Sequence, residues 1–209
     1  MGQSKKPEIN QEDADKIHAE LAEKYGVQSI KGGRSIKYSF SPVLYKYLLS
    51  VLKKQLGSFK GKDILELGYM GTSILEYLKE KGANAHGFQN RPPHQAVDGI
   101  EFEEGFFTDL EKHFGNKKFD SIISSRVFEV NAFEKNDSGH SALDQTIQSY
   151  KSINKKLKLG GFFIIQIDYK GQLLGEDHLA RLGFKPIAAK KNISGILELL
   201  VLKKVGEVK

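Results

Sequence analysis

Apolar positions along this chain fall into short continuous blocks separated by stretches of helical spacing. The alternation is clearest between residues 62 and 90, KDILELGYMGTSILEYLKEKGANAHGFQN. Ile64, Leu65 and Leu67 surround Glu66 in a run that stops at Gly68, as a strand of a parallel sheet does where it enters a tight turn. From Ser73 to Lys81 the period changes. Ile74, Leu75 and Leu78 recur at helical intervals with charges between them, and Gly82 stands where a helix C-cap would. Residues 83–88 begin another strand. A helix opening just after such a turn directs its free N–H groups and positive end at whatever lies above the sheet edge. The segment therefore predicts the nucleotide-binding half of an α/β domain.

The same reading continues to the C-terminus. Residues 100–102 and 119–124 predict a third and a fourth strand, and residues 143–157 a helix with Leu143, Ile147, Tyr150, Ile153 and Leu157 on one face. Lys158-Leu159-Gly160-Gly161 reads as a turn before an apolar fifth strand at 162–167. A short helix at 176–182 precedes a sixth strand opening at Gly183-Phe184. Residues 196–202 predict a seventh, returned by a turn at 192–195. A connection that short, with no helix in it, requires antiparallel pairing of the last two strands. Upstream, residues 1–15 are polar, and residues 14–25 form an amphipathic helix using Ile17, Leu21 and Ala22. Gly32-Gly33-Arg34 then breaks the chain before a helix that opens at Ser41-Pro42 and runs to Leu56. The expected organisation is a tail and helical extension over 1–57, with Tyr38, Ser39 and Phe40 available to line a lid, and an α/β domain over 58–209.

Glu66-Leu67-Gly68-Tyr69-Met70-Gly71-Thr72 resembles motif I of the class I S-adenosylmethionine-dependent methyltransferases, an acidic residue followed by glycines at alternate positions. Glu66 and Gly68 fall on the acidic residue and the first glycine, Met70 on the second glycine and Thr72 on the third, with Gly71 between them. The Phe-Asp start of the segment at 119–124 and the Lys-Leu-Gly-Gly turn look like further family features, and the likeness spans roughly residues 38–204. It implies a Rossmann-like seven-stranded sheet with an antiparallel last strand. It also implies S-adenosylmethionine as cofactor, held by Glu66, Gly68, Tyr69, Gly71, Gln89, Phe106 and Ser124. Gln89 falls where the family usually has an acidic residue for the ribose hydroxyls, and an amide offers one acceptor where a carboxylate offers two. Phe106 falls where the family often carries an Asp that contacts the adenine amino group; a ring there can stack but cannot accept a hydrogen bond. Asp109 is placed to cap a following helix.

Two functions follow from the resemblance. One is a divergent methyltransferase, in which positioning supplies much of the catalysis and no universal acid–base residue is needed. The other is a catalytically inactive methyltransferase-fold protein that serves as a partner subunit or binds another ligand; Met70, a side chain in place of a glycine, is its best support. A nicotinamide dehydrogenase is disfavoured, because the full G-x-G-x-x-G is missing and the terminal hairpin does not suit it. The acceptor is expected to be a small molecule or a protein. The segment from Ser124 to Glu129 lacks the Asn/Asp-Pro-Pro-aromatic motif of amino-methylating nucleic-acid enzymes. His140, in the polar loop NAFEKNDSGH, is the candidate catalytic base. His86 and His94 read as surface residues near the second strand, and Arg126 either binds an acidic acceptor or pairs with Glu129.

Composition narrows the setting. The chain has 209 residues, 39% hydrophobic and 28% charged, enough for a single domain. It has no cysteine, which excludes disulfides and thiolate metal sites and leaves metal binding disfavoured. The net charge of +6 and pI of 9.2 come from lysines spread along the chain; Lys151, Lys155, Lys156 and Lys158, like Lys53, Lys54, Lys203 and Lys204, read as solvated flanks. No apolar run approaches the roughly 20 residues that span a bilayer, and no signal peptide is seen at the N-terminus, so a cytoplasmic location is expected. Gly2 suggests N-myristoylation, but Lys6 stands where that motif requires Ser or Thr.

Overall fold

The computed structural model describes residues 11–25, 42–68, 72–90, 97–125, 142–166, 174–191 and 197–208. Two helices, α1 (Gln11–Tyr25) and α2 (Pro42–Leu56), precede β1 (Asp63–Leu67), α3 (Ser73–Glu80), β2 (Asn84–Gln89) and β3 (Glu101–Glu104). After a 3-10 turn, Phe107–Lys112, come β4 (Phe119–Ser125), α4 (Ala142–Lys156), β5 (Leu157–Gln166), α5 (Glu176–Arg181), β6 (Phe184–Lys191) and β7 (Leu197–Lys204). The strands form one sheet in the order β3-β2-β1-β4-β5-β7-β6. The first five are parallel, and β7 runs antiparallel to both of its neighbours.

Alternation along each strand divides the core in two. Ile64 of β1, Ala85 of β2, Ile123 of β4 and Ile164 of β5 pack with α1, α2 and α3. Leu65, Leu67, Phe88, Ile122, Phe163 and Ile165 point the other way, into a cluster with α4 and α5 that includes Leu110, Tyr150, Ile153 and Leu179. Burial on both faces is the reason these strands read as continuous apolar runs. The first helix is tied to α3 by polar contacts, in which the Tyr77 hydroxyl donates to Glu20 at 3.1 Å and Lys81 pairs with the same carboxylate at 2.8 Å.

Several expectations need correction. In α1 the buried positions are Ala14, Ile17 and Leu21, and Ala22 is exposed. Residues 158–161 belong to β5, whose register against β4 shifts between Phe119 and Ser121. The backbones come close there: a side chain on Gly161 would meet Lys158 O at 2.9 Å and Asp120 O at 3.0 Å. Asp109 lies within the 3-10 turn and does not cap a helix; Phe106 precedes that turn, and the Asp109 carboxylate pairs with Lys112. Two lysines taken as solvated are buried. Lys204 donates to the carbonyls of Asn154 at 2.8 Å and Leu157 at 3.2 Å, closing the C-terminal end of α4, and Lys156 donates to Gly115 O at 2.6 Å. A buried cation needs such partners, and the carbonyls of Asn154, Leu157 and Gly115 supply them. His86 is also buried, edge-on to Phe114 and Phe119. Its Nδ1 is 3.0 Å from Glu101 Oε2 but out of line for a hydrogen bond. Burial, with Lys117 adding to it, lowers its pKa.

Candidate functional site

The chain leaves β1 for α3 on one face of the sheet and leaves β4 for α4 on the other, while β1 and β4 lie side by side. Diverging connections open a crevice beyond the C-terminal ends of adjacent parallel strands, the place where α/β sheets bind ligands. Glu66 is the last residue but one of β1, in register with Gly87 of β2 and Ile123 of β4. It is 2% exposed, and its Oε2 has no hydrogen-bond partner among the described residues. Burial pushes the carboxyl up to about 8, so near neutral pH the group is a protonated acid that can donate as well as accept. Gly68 extends the pairing by one bond, its N–H donating to Phe88 O at 2.8 Å, and then turns with φ of +67°. On the adjacent strand Ser124, in register with Leu67 and so on the opposite face of the sheet from Glu66, is fully buried, and its Oγ has no partner among the described residues.

At the other side of the same edge, β2 and β3 end on a backbone link from Gly105 N–H to Gln89 O at 2.9 Å. Gln89 is half-buried, and Phe106 is 65% exposed. Below them, His113 Nδ1 lies 2.7 Å from Glu103 Oε2, and Glu103 Oε1 accepts the Phe114 N–H at 2.6 Å. The imidazole packs on Phe88 with ring centroids 4.8 Å apart.

The fold thus brings Glu66, Gly68, Gln89, Phe106 and Ser124 to one edge of the sheet, in two groups separated along it. Tyr69, Gly71, Met70 and His140 lie outside the described residues, as do Tyr38, Ser39, Phe40, His94, Arg126, Glu129, Gly2, Lys6 and the turn at 192–195. Two polar pairs at this edge escape the sequence reading. One is Ser125 with Gln166, both buried, the hydroxyl donating to the amide oxygen at 3.1 Å; the signal is a polar residue ending each of two apolar strands. The other is Glu103 with His113. Alternation along β3 puts Glu101 and Glu103 on one face, but nothing in the sequence names the histidine that meets the second of them. Among the described residues no cluster of His, Asp or Glu is arranged to hold a metal, and no helix is long and apolar enough to cross a membrane.

No family model matches the sequence, and no curated protein does so either. Solved structures do match. The 1,6-didemethyltoxoflavin-N1-methyltransferase of Burkholderia thailandensis, with 1,6-didemethyltoxoflavin and S-adenosylhomocysteine bound, superposes with a TM-score of 0.53 at 16% identity, over 75% of this chain and 76% of that one. CalS10, an amino pentose methyltransferase from Micromonospora echinaspora with S-adenosylmethionine bound, gives 0.55 at 11% identity, over 76% and 89%. The N-methyltransferase NodS from Bradyrhizobium japonicum, in complex with S-adenosylhomocysteine, gives 0.52 at 13%, over 73% and 83%. These likenesses run through a sheet whose antiparallel β7 lies between β5 and β6, and on that ground this chain has the fold of the class I S-adenosylmethionine-dependent methyltransferases.

Proposed function

We propose that the protein is an S-adenosylmethionine-dependent methyltransferase acting on a small-molecule or protein acceptor. The observation that carries this reading is Glu66, a wholly buried carboxyl at the crevice whose Oε2 has no partner among the described residues. A buried polar oxygen left unsatisfied costs about 1–3 kcal/mol, and at a ligand-binding edge that cost is offset when a ligand supplies the missing hydrogen bond. Ser124 Oγ is a second such oxygen, at the end of the adjacent strand and on the opposite face of the sheet.

The chain's own groups fit the cofactor. Glu66 would hold its polar amino-acid portion, with Ser124 meeting it separately from the end of β4, Gly68, Tyr69 and Gly71 would form the turn around it, and Gln89 would meet the ribose with one carbonyl acceptor and one amide donor. When bound, S-adenosylmethionine supplies an electrophilic methyl group on a sulfonium. The protein's task is then to exclude water and to align an acceptor with that group. His140 is our candidate for taking a proton from an acceptor that needs activation.

Gln89 and Phe106 favour a second reading, an inactive protein of this fold that serves as a partner subunit or binds another ligand. A neutral amide and an exposed ring stand where two carboxylates are usual in the family, so both charge-assisted contacts are missing. Calorimetric titration of the full chain with S-adenosylmethionine and S-adenosylhomocysteine separates the two. Heat of binding, with a matching rise in melting temperature, is the expected outcome. Neither heat nor stabilisation at millimolar ligand would refute the enzyme reading and leave the second one standing.

A further inference from the structure

The end of the sheet away from the crevice carries a surface with no part in the chemistry of Glu66 and Gln89. Lys185 of β6 and Lys203 of β7 stand directly opposite one another in the antiparallel register, with Phe162 of β5 on the other side of Lys203. Residues paired in this way project from the same face. Both lysines are exposed, and neither has a carboxylate partner among the described residues. Like charges in that position repel, so the sheet itself gains nothing from the pair. The pairing continues one step past β7, where the Val205 N–H donates to Gly183 O at 2.9 Å, and the alternation of side chains returns Val205 to the side of Lys203. Val205 is 53% exposed.

Leu159 lies at the same end, among the first residues of β5. At 74% it is the most exposed large apolar side chain among the described residues. Its neighbour Gly160 runs alongside Lys203, since a Cβ on that glycine would lie 4.0 Å from Lys203 Cε. The acids of this end are already engaged. Lys158 holds Asp63 and Asp120, Lys155 holds Glu111, and Lys204 pairs with Glu207 at 2.8 Å. Lys185 and Lys203 therefore remain as uncompensated positive charge beside two uncovered aliphatic side chains.

The lysines alone would suit any polyanion. A leucine and a valine gain nothing from a phosphodiester chain in water, but they gain by entering the acyl boundary of a bilayer whose headgroups meet the lysines. Apolar burial and basic charge acting together are what peripheral attachment requires. We propose that Leu159 and Val205, with Lys185 and Lys203, dock this protein on an anionic lipid bilayer. The surface lies at the N-terminal end of β5, which runs parallel to β4 and β1, and the crevice lies beyond the opposite ends of those strands. A docked molecule thus keeps the crevice open to the aqueous side. The inference is independent of what the crevice binds.

The test is sedimentation of the full chain with vesicles of phosphatidylcholine alone and of phosphatidylcholine mixed with phosphatidylglycerol. Recovery with the mixed vesicles and not with the neutral ones is expected, falling as salt is raised. Lys185→Gln combined with Lys203→Gln should weaken binding by about 25-fold, at about fivefold for each lysine. Leu159→Ser should weaken it by about tenfold. All three side chains are exposed, so these variants should melt at the wild-type temperature. The chain has no tryptophan, and Leu159→Trp therefore places a single fluorescent reporter in the surface, whose emission should shift to the blue with the mixed vesicles. No recovery with those vesicles, equal recovery with neutral ones, an unmoved tryptophan emission, or binding that survives the double lysine substitution would overturn the proposal. Retention of duplex DNA in place of vesicles, lost with the lysines and indifferent to Leu159→Ser, would overturn it in favour of a nucleic-acid surface.

Discussion

The two ends of the parallel strands treat their charged groups in different ways. At the N-terminal end charged side chains are paired with one another or with backbone carbonyls. Lys158 bridges Asp63 at 3.1 Å and Asp120 at 2.8 Å, Asp120 also accepts the Asp63 N–H at 2.9 Å, and Lys204 closes the carbonyls at the end of α4. Lys158 and the Asp63 N–H hold the Asp120 carboxyl below its usual range against the opposing effect of burial. At the C-terminal end Glu66 Oε2 and Ser124 Oγ are buried with no partner among the described residues. Satisfied groups of this kind fix the fold. The unsatisfied oxygen of Glu66, at the end of β1 where the β1 and β4 connections diverge, is the one we assign to a ligand.

That contrast can be broken most sharply at Glu66. The carboxyl ionises at 4.5 in the unfolded chain and at about 8 in the fold, so between those values the folded protein retains a proton that the unfolded chain releases. Stability must therefore fall as pH rises through this window, by about 5 kcal/mol in total, and level off above it. Glu66→Gln removes the titration. Urea midpoints measured from pH 4 to 9 should show the variant gaining on the ligand-free wild type as pH rises, and parallel curves would mean that the carboxyl is not sealed as described.

The N-terminal edge should respond next. Lys204→Met removes the donors from the carbonyls of Asn154 and Leu157, and the expected cost is about 3 kcal/mol, seen as a drop in melting temperature of about 10 °C. Ligand affinity should not change, which is what separates this edge from the other. A smaller loss is expected for Gly105→Ala, about 1–2 kcal/mol from overpacking against His113 and Phe88, accompanied by weaker binding of an adenosyl ligand. Phe106→Ala is the mildest for the fold: an exposed side chain should shift stability by no more than about 0.5 kcal/mol, so that any loss of ligand affinity, read by calorimetry, belongs to the site alone.

Much of this architecture could be read from local pattern. Ile74, Leu75 and Leu78 are all buried on α3 as their spacing requires, and the five parallel strands lie within a few residues of their apolar runs. Glu66 and Gly68 were legible because a strand that must end in a turn places them there. Lys204, Lys156 and His86 were not legible: their side chains are polar, and only the partners or rings brought to them from distant elements make burial tolerable. The 3-10 turn at Phe107–Lys112 carries no periodic signal, being too short for one.

The sequence by itself therefore determined the order of strands and helices, the antiparallel return of the last strand and the position of the glycine turn, since all of these follow from spacing along the chain. The tertiary structure alone decided which polar groups are satisfied. Glu66 and Lys204 are both ionisable residues near the end of an apolar strand. Lys204 reaches the carbonyls of Asn154 and Leu157 because β7 folds back beside the end of α4, whereas Glu66 lies near the end of its strand at a crevice where no described residue partners Oε2.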